Sequence, residues 1–268
     1  MSQTILITGS STGIGRAAAI YFQQQGWNVA ATMRTPEKAG DWAKGMFLTR
    51  LDVTDADSIR QAIAATRERF GRIDAICNNA GYGLVGPFEA SMPAQVERQF
   101  ATNVFGLMNV AREILPIFRE QNGGVIINVA SVGGRIAFPL YSLYHGTKWA
   151  VEGFSEGLHY ELKQFNIRVK IVEPGPIKTD FYDRSIEIMS KPGLTAYDDY
   201  VKNAMPGLNK AGANAPGPEL VAKVIYRAAT DGSGRLRYAA NSLSLLLARR
   251  FLPDWAFHHM VKIALGVK

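Results

Sequence analysis

One short segment, Thr8-Gly9-Ser10-Ser11-Thr12-Gly13-Ile14-Gly15, restricts the fold of this chain more than any other feature. It lies between an apolar run at residues 4–8 and a helical stretch at residues 16–25 that stops at Gly26. Glycine is required where a backbone turns sharply and must approach an anion without a Cβ in the way. The N-terminus of the following helix offers unpaired N–H groups and the positive end of the helix dipole. Gly15 lets that helix lie close on the strand. A strand, a glycine-rich turn and a helix in that order form the opening unit of a pyrophosphate-binding fold. The residues expected around the phosphates are Gly9, Ser11, Thr12, Gly13, Ile14 and Gly15.

The same alternation continues along the chain. Residues 28–33, 46–51, 73–78, 124–130, 167–172 and 236–240 read as strands. Helical patterns fill the gaps at residues 93–120, 142–164 and 218–230. Another helix is expected up to Phe70, capped by Thr54 with Asp57 completing a capping box. Val125-Ile126-Ile127-Asn128-Val129 lacks polar alternation, as a strand buried on both faces should. The pattern predicts an α/β fold, doubly wound in three layers around a central parallel sheet of about seven strands. The whole chain, residues 1–268, reads as one domain. Residues 181–217 break the rhythm with Pro192, Pro206 and Pro216, and are expected to form a loop that serves as a substrate lid. Residues 241–268 read as a C-terminal helical extension.

Composition excludes other classes. Hydrophobic residues make up 47 % and charged residues 20 %, which rules out a disordered chain or a fibrous repeat. Cys77 is the sole cysteine, so no intrachain disulfide is possible and a reducing, cytoplasmic setting is expected. Neither a secretory signal nor a membrane-spanning run is visible. The net charge of +7 is uneven: from Arg235 onward there are six Lys/Arg and one acid, Asp254. Scattered bases of this kind fit a solvated surface and an anionic cofactor; no nucleic-acid partner and no metal are expected.

The chemistry is concentrated in Tyr144-His145-Gly146-Thr147-Lys148. A Tyr and a Lys four apart share one helix face, one turn from each other. A free phenol titrates near ~10, and a neighbouring ammonium lowers that value towards working pH. Tyr144 is therefore the expected proton donor to a carbonyl oxygen, or acceptor from an alcohol. Thirteen residues earlier, Ser131 follows a strand, on the side where parallel sheets bind ligands. Its hydroxyl is placed to hydrogen-bond an oxygen that gains charge. His145 is expected on the surface or at an interface, because its helix position points about 100° away from Tyr144.

These residues resemble the short-chain dehydrogenase/reductase family, in its single-domain Rossmann-type branch, over about residues 4 to 180. The carriers are the Thr-Gly-x-x-x-Gly-x-Gly turn from Thr8 to Gly15, Asn78-Asn79-Ala80-Gly81, Ser131, Tyr144-x-x-x-Lys148 and Pro174-Gly175-Pro176-Ile177-Lys178-Thr179. The resemblance implies catalytic roles for Asn103, Ser131, Tyr144 and Lys148. Asn103 would interrupt its helix and complete a proton relay. Lys148 would also hold the nicotinamide ribose. Asn79, Ala80 and Gly81 would lie along the adenosine ribose, and Asp52 and Val53 beside the adenine. Thr179 and the Ile177 backbone would hold the nicotinamide amide, and Pro174 and Gly175 would also bind the cofactor.

An acid at the end of the second strand would select NAD; the matching position is Met33, followed by Arg34. A guanidinium can fork onto a 2′-phosphate, so NADP(H) is expected over NAD(H). The expected substrate wall contains Phe88, Phe138, Tyr141, Phe181 and Tyr182, and suits an apolar or aromatic ketone, aldehyde or secondary alcohol. The layout looks most like the steroid- and retinoid-type carbonyl reductases of the family. A 3-ketoacyl thioester reductase and a non-catalytic NADP-binding regulator are the alternatives. A homo-oligomer, dimer or tetramer, is expected. The C-terminal extension is expected to pack or to make an oligomer contact, with membrane contact as the other option.

Overall fold

The computed structural model describes residues 2–179 and 186–267. β1 (Thr4–Ile7) leads through the glycine turn into α1 (Gly13–Gln24), then β2 (Asn28–Met33) and β3 (Phe47–Arg50). The chain next forms α2 (Ala56–Phe70), β4 (Ala75–Asn78) and a short β5 (Gly83–Val85). α3 (Pro93–Phe100) passes through a wide π-helical turn, Ala101–Gly106, into α4 (Leu107–Glu120). β6 (Gly124–Val129), α5 (Ser142–Leu162) and β7 (Ile167–Pro174) follow. Beyond the undescribed residues lie β8 (Ile186–Ile188), α6 (Asp198–Ala213), α7 (Glu219–Thr230) and β9 (Arg237–Ala240). Two helices close the chain, α8 (Leu243–Phe251) and α9 (Asp254–Leu265).

Seven strands form one parallel sheet in the order β3-β2-β1-β4-β6-β7-β9, as the alternating pattern predicts. From β1 the chain first moves outward through β2 and β3, then crosses to β4 on the other side. This reversal opens a crevice at the carboxyl ends of β1 and β4, where such sheets take ligands. Successive side chains alternate between the two helical layers. Ile5 and Ile7 pack with Phe22, Val221 and Ile225 on one face, while Leu6 packs with Ile59, Ile114 and Phe118 on the other.

Three expectations are corrected. Thr54 does not cap α2. Asp55 does, accepting the Ser58 N–H at 3.0 Å, whereas Thr54 donates both its N–H and its hydroxyl to Asp52. An aspartate satisfies the first-turn amides better than a threonine already engaged elsewhere. Residues 181–217 are not an irregular loop where they are described. β8 pairs in parallel with β5, and α6 runs sixteen residues with Pro206 inside it. Helical burial of Ala204 and Leu208 against the C-terminal segment outweighs the hydrogen bond that proline removes. The third, His145, belongs to the site.

Candidate active site

The glycine turn is held open by its neighbours. Gly9 has φ +68°, and a Cβ there would come within 2.9 Å of Ala80 Cα. Asn79 Nδ2 donates to the carbonyls of Thr8 and Gly9 at 3.0 and 3.1 Å, and its backbone N–H donates to Thr8 Oγ1 at 3.0 Å. Gly15 does not face the cavity; a Cβ there would collide with the Gly9 carbonyl and the Asn79 amide, so glycine sets the approach of α1 to the sheet. The first turn of α1 has no side-chain cap at Thr12, unlike α2 with Asp55. Its amides are left for an anion. These features fit the pyrophosphate of a dinucleotide.

A cavity of about 890 Å³ runs from this turn across the sheet edge. Gly9, Ser11, Thr12, Gly13 and Ile14 line one end, with Arg34, Asp52 and Val53 at its rim. Asn79, Ala80 and Gly81 form the floor, and Pro174, Gly175, Ile177 and Thr179 a side wall. Burial works to raise the Asp52 pKa. The Thr54 hydrogen bonds, with Arg34 and Arg50 nearby, outweigh it and keep the carboxylate below its usual range.

Ser131, Tyr144 and Lys148 line the middle of the same cavity. Tyr144 and Lys148 come from α5, and Ser131 from the end of β6. The Lys148 Nζ sits 5.8 Å from the Tyr144 ring centroid and donates to the Val129 carbonyl at 2.9 Å. Burial pulls the Lys148 pKa down to about 8, with Glu152 one turn on working against the fall. Lys148 is thus a cation at neutral pH, held beside the phenol. Ser131 Oγ accepts the Gly133 N–H at 3.0 Å, which leaves its own proton to give.

Asn103 lies in the π-helical turn, where the helix is interrupted as expected. Its amide clasps Tyr82, donating to the carbonyl at 2.8 Å and accepting the N–H at 3.0 Å. It also donates to Thr147 Oγ1 at 3.1 Å. Thr147 was not singled out in the sequence, although it stands inside the Tyr-to-Lys interval. It ties Asn103 to the helix carrying Tyr144. Asn128, another unforeseen residue, links Asn78 on β4 to Ser155 on α5 through bonds of 2.9 and 2.8 Å.

His145 is not at the surface. It is 5 % exposed, lines the cavity, and accepts the Phe138 N–H on Nδ1 at 3.3 Å. The segment after Ser131 folds over that side of α5, which a helical angle alone does not reveal. Burial pushes the His145 pKa down to about 4.

Of the expected substrate wall, Phe138 and Tyr141 line the cavity. Phe88 does not; it sits on a 3-10 turn with 63 % of its surface exposed. Phe181 and Tyr182 lie outside the described residues. More of the wall comes from Leu208 and Ala211 on α6, within the segment expected to serve as a substrate lid, and from Leu245 on α8 and Met260, Val261 and Leu265 on α9, in an extension expected only to pack or to make an oligomer contact.

The chain matches the short chain dehydrogenase family profile over residues 3–188. It belongs to that family. This dehydrogenase is 32 % identical over 270 residues to the 3-ketodihydrosphingosine reductase of Bacteroides thetaiotaomicron, covering 99 % of both chains. A short-chain dehydrogenase structure from Streptomyces avermitilis superimposes with a TM-score of 0.84 at 30 % identity, covering 100 % of this chain and 99 % of that one. The structure of ElxO with NADP bound superimposes with a TM-score of 0.73 at 26 % identity, covering 91 % of this chain and 100 % of that one. The dehydrogenase is accordingly an oxidoreductase of the nicotinamide-dinucleotide type, built on the family's seven-stranded sheet.

Proposed function

We propose that the protein uses NADP(H) to interconvert a ketone or aldehyde and its alcohol on an apolar or aromatic small molecule. One observation carries the reading: the uncapped α1 turn and the Tyr144, Lys148 and Ser131 side chains line a single cavity. A bound nicotinamide dinucleotide would supply the hydride in reduction, or take it in oxidation. Tyr144 gives its phenolic proton to the carbonyl oxygen. Lys148, a buried cation, favours the phenolate that results. Ser131 donates a hydrogen bond to the oxygen as charge builds on it.

Two features support NADP(H) over NAD(H). β2 ends in Met33, buried and uncharged, where an acid would reject a 2′-phosphate. Arg34, exposed at the cavity rim, offers that phosphate a guanidinium. The substrate class is supported by the apolar α6, α8 and α9 wall, and by a Bacteroides relative whose name specifies a 3-keto compound.

The test is a panel of ketones, alcohols and ketoacyl thioesters, followed by cofactor absorbance with NADPH and with NADH. Turnover of apolar ketones with NADPH is expected. Tyr144→Phe should lower kcat by roughly 10²–10⁴-fold, the scale of general acid catalysis. Wild-type turnover in that variant would remove Tyr144 from the mechanism. Turnover of thioesters alone would replace the substrate reading. Arg34→Ala should weaken NADPH binding by about 1.5–3 kcal/mol and NADH binding much less. An equal loss for both cofactors would refute the 2′-phosphate assignment.

A further inference from the structure

α8 and α9 have two unlike sides. Their inner side closes the cavity with Leu245, Met260, Val261 and Leu265, while Phe257 is buried against Val132 and Ile136. On the outer side Phe251 is 76 % and Trp255 75 % exposed, and Leu243, Leu247 and Ile263 are exposed as well. Leu243, Leu247 and Phe251 fall at helical spacing and form one stripe along α8. An apolar surface of this extent, placed in water, marks a contact face.

Basic groups lie within the same face. A cleft of about 420 Å³ is lined by Arg135, Arg249 and Arg250 together with Leu243, Leu246 and Leu247. Arg249 is paired with Asp254 at 2.6 Å, and Arg135 with Glu173 at 3.2 Å. Arg250 has no acidic partner among the described residues and sits 6.0 Å from the Phe251 ring centroid. Lys262 is exposed on α9, next in sequence to the exposed Ile263. No described helix is long and apolar enough to cross a membrane.

We propose that α8 and α9 dock the protein on an anionic lipid surface, with the arginine cleft taking a phosphate-bearing headgroup. Leu, Phe and Trp beside Arg and Lys on a short amphipathic helix pair is the composition of an element that lies in the headgroup layer rather than spanning it. The negative potential of an anionic leaflet attracts the arginines. A second copy of the chain fits this face less well, because Arg250 and Lys262 have no acidic partner among the described residues and two such faces brought together would both present uncompensated positive charge. Under the proposed function, the same two helices stand between the lipid and the apolar cavity wall, so an apolar substrate has a short path inward. The docking itself does not depend on that reading.

The test is sedimentation of the full chain with vesicles of phosphatidylcholine alone and of phosphatidylcholine with phosphatidylserine. The protein should pellet with the anionic vesicles, and less so as salt rises. Arg250→Glu, a change of two charges at the surface, should lower the partition coefficient roughly thirtyfold. Phe251→Ser with Trp255→Ser should abolish pelleting. Both variants should keep the wild-type thermal midpoint and the wild-type turnover of a water-soluble ketone, since neither alters a residue that lines the cavity. Equal pelleting with both vesicle types, or unchanged pelleting of the variants, would overturn the proposal. So would a wild-type dimer that the double variant dissociates without any lipid dependence. Lipid docking as expected with no ketone turned over would leave this inference standing and reject the functional one.

Discussion

The His145 ring packs against Phe138, Tyr141 and Tyr144, with centroids 5.7–5.9 Å away. Because Nδ1 accepts a backbone N–H, the single proton of the neutral imidazole resides on Nε2. Protonation would add a charge in a buried, aromatic setting. The folded-state pKa, about 4, lies below the ordinary value of 6.5. The unfolded chain therefore binds the proton first. Stability falls as pH drops from about 6.5 to 4, by on the order of 3 kcal/mol in all. Glu152, pushed up to about 7 by burial, titrates in the opposite sense and obscures the effect in the wild type. The difference between wild type and His145→Gln isolates it. Chemical denaturation at pH 7 and pH 4.5 should show the wild type losing more stability than the variant on acidification; identical losses would place the imidazole in water.

At the scale of elements, α1 depends on one absent methyl. Gly15→Ala places a Cβ against the Gly9 carbonyl and Asn79 Nδ2, both fixed by hydrogen bonds. The helix must lift from the turn. A loss of about 1–3 kcal/mol in urea unfolding is expected, the usual cost of overpacking, together with weaker dinucleotide binding by titration calorimetry. Unchanged affinity would show that the helix position is not what shapes the phosphate end. Elements with local signals were legible in the sequence. The strand–turn–helix at residues 4–24, the Tyr144-to-Lys148 interval and the buried strand at residues 124–129 each carry their own pattern. Elements defined by distant partners were not. β8 exists because β5, about a hundred residues earlier, offers it an edge. α6 hides behind Pro206. The cavity wall on α9 is a matter of which helix side meets α6, that on α8 of which side meets Val132 and Ile136, and Thr147 and Asn128 matter through partners 44, 27 and 50 residues away. Asn79 and Lys148 were legible because their motifs combine chemistry with spacing.

For the whole molecule, a ligand that spans the cavity couples the two halves of the sheet. The turns directly after β1 and β4 and the last residues of β2, β6 and β7 all contribute to its walls. Binding to the folded state alone should raise its stability by about 2.7 kcal/mol at a hundredfold excess over Kd. For a chain of this length that is a rise in Tm of roughly 5–10 °C. Thermal melts should show NADP⁺ giving the larger shift and NAD⁺ at equal concentration a smaller one. A larger shift with NAD⁺ would reverse the cofactor reading. The reversal of strand order between β1 and β4 has one more effect. The glycine turn, the Asn79 segment and Ser131 lie at the carboxyl rim of the sheet, and Tyr144 and Lys148 reach the same cavity from α5. The opposite rim carries the handovers from helix to strand, among them those at Gly26, Gly71, Asn122 and Asn166, each with a positive φ. That underside is consequently free for insertion: a fluorophore, an affinity tag or a tether to a solid support joined there would leave the working rim untouched.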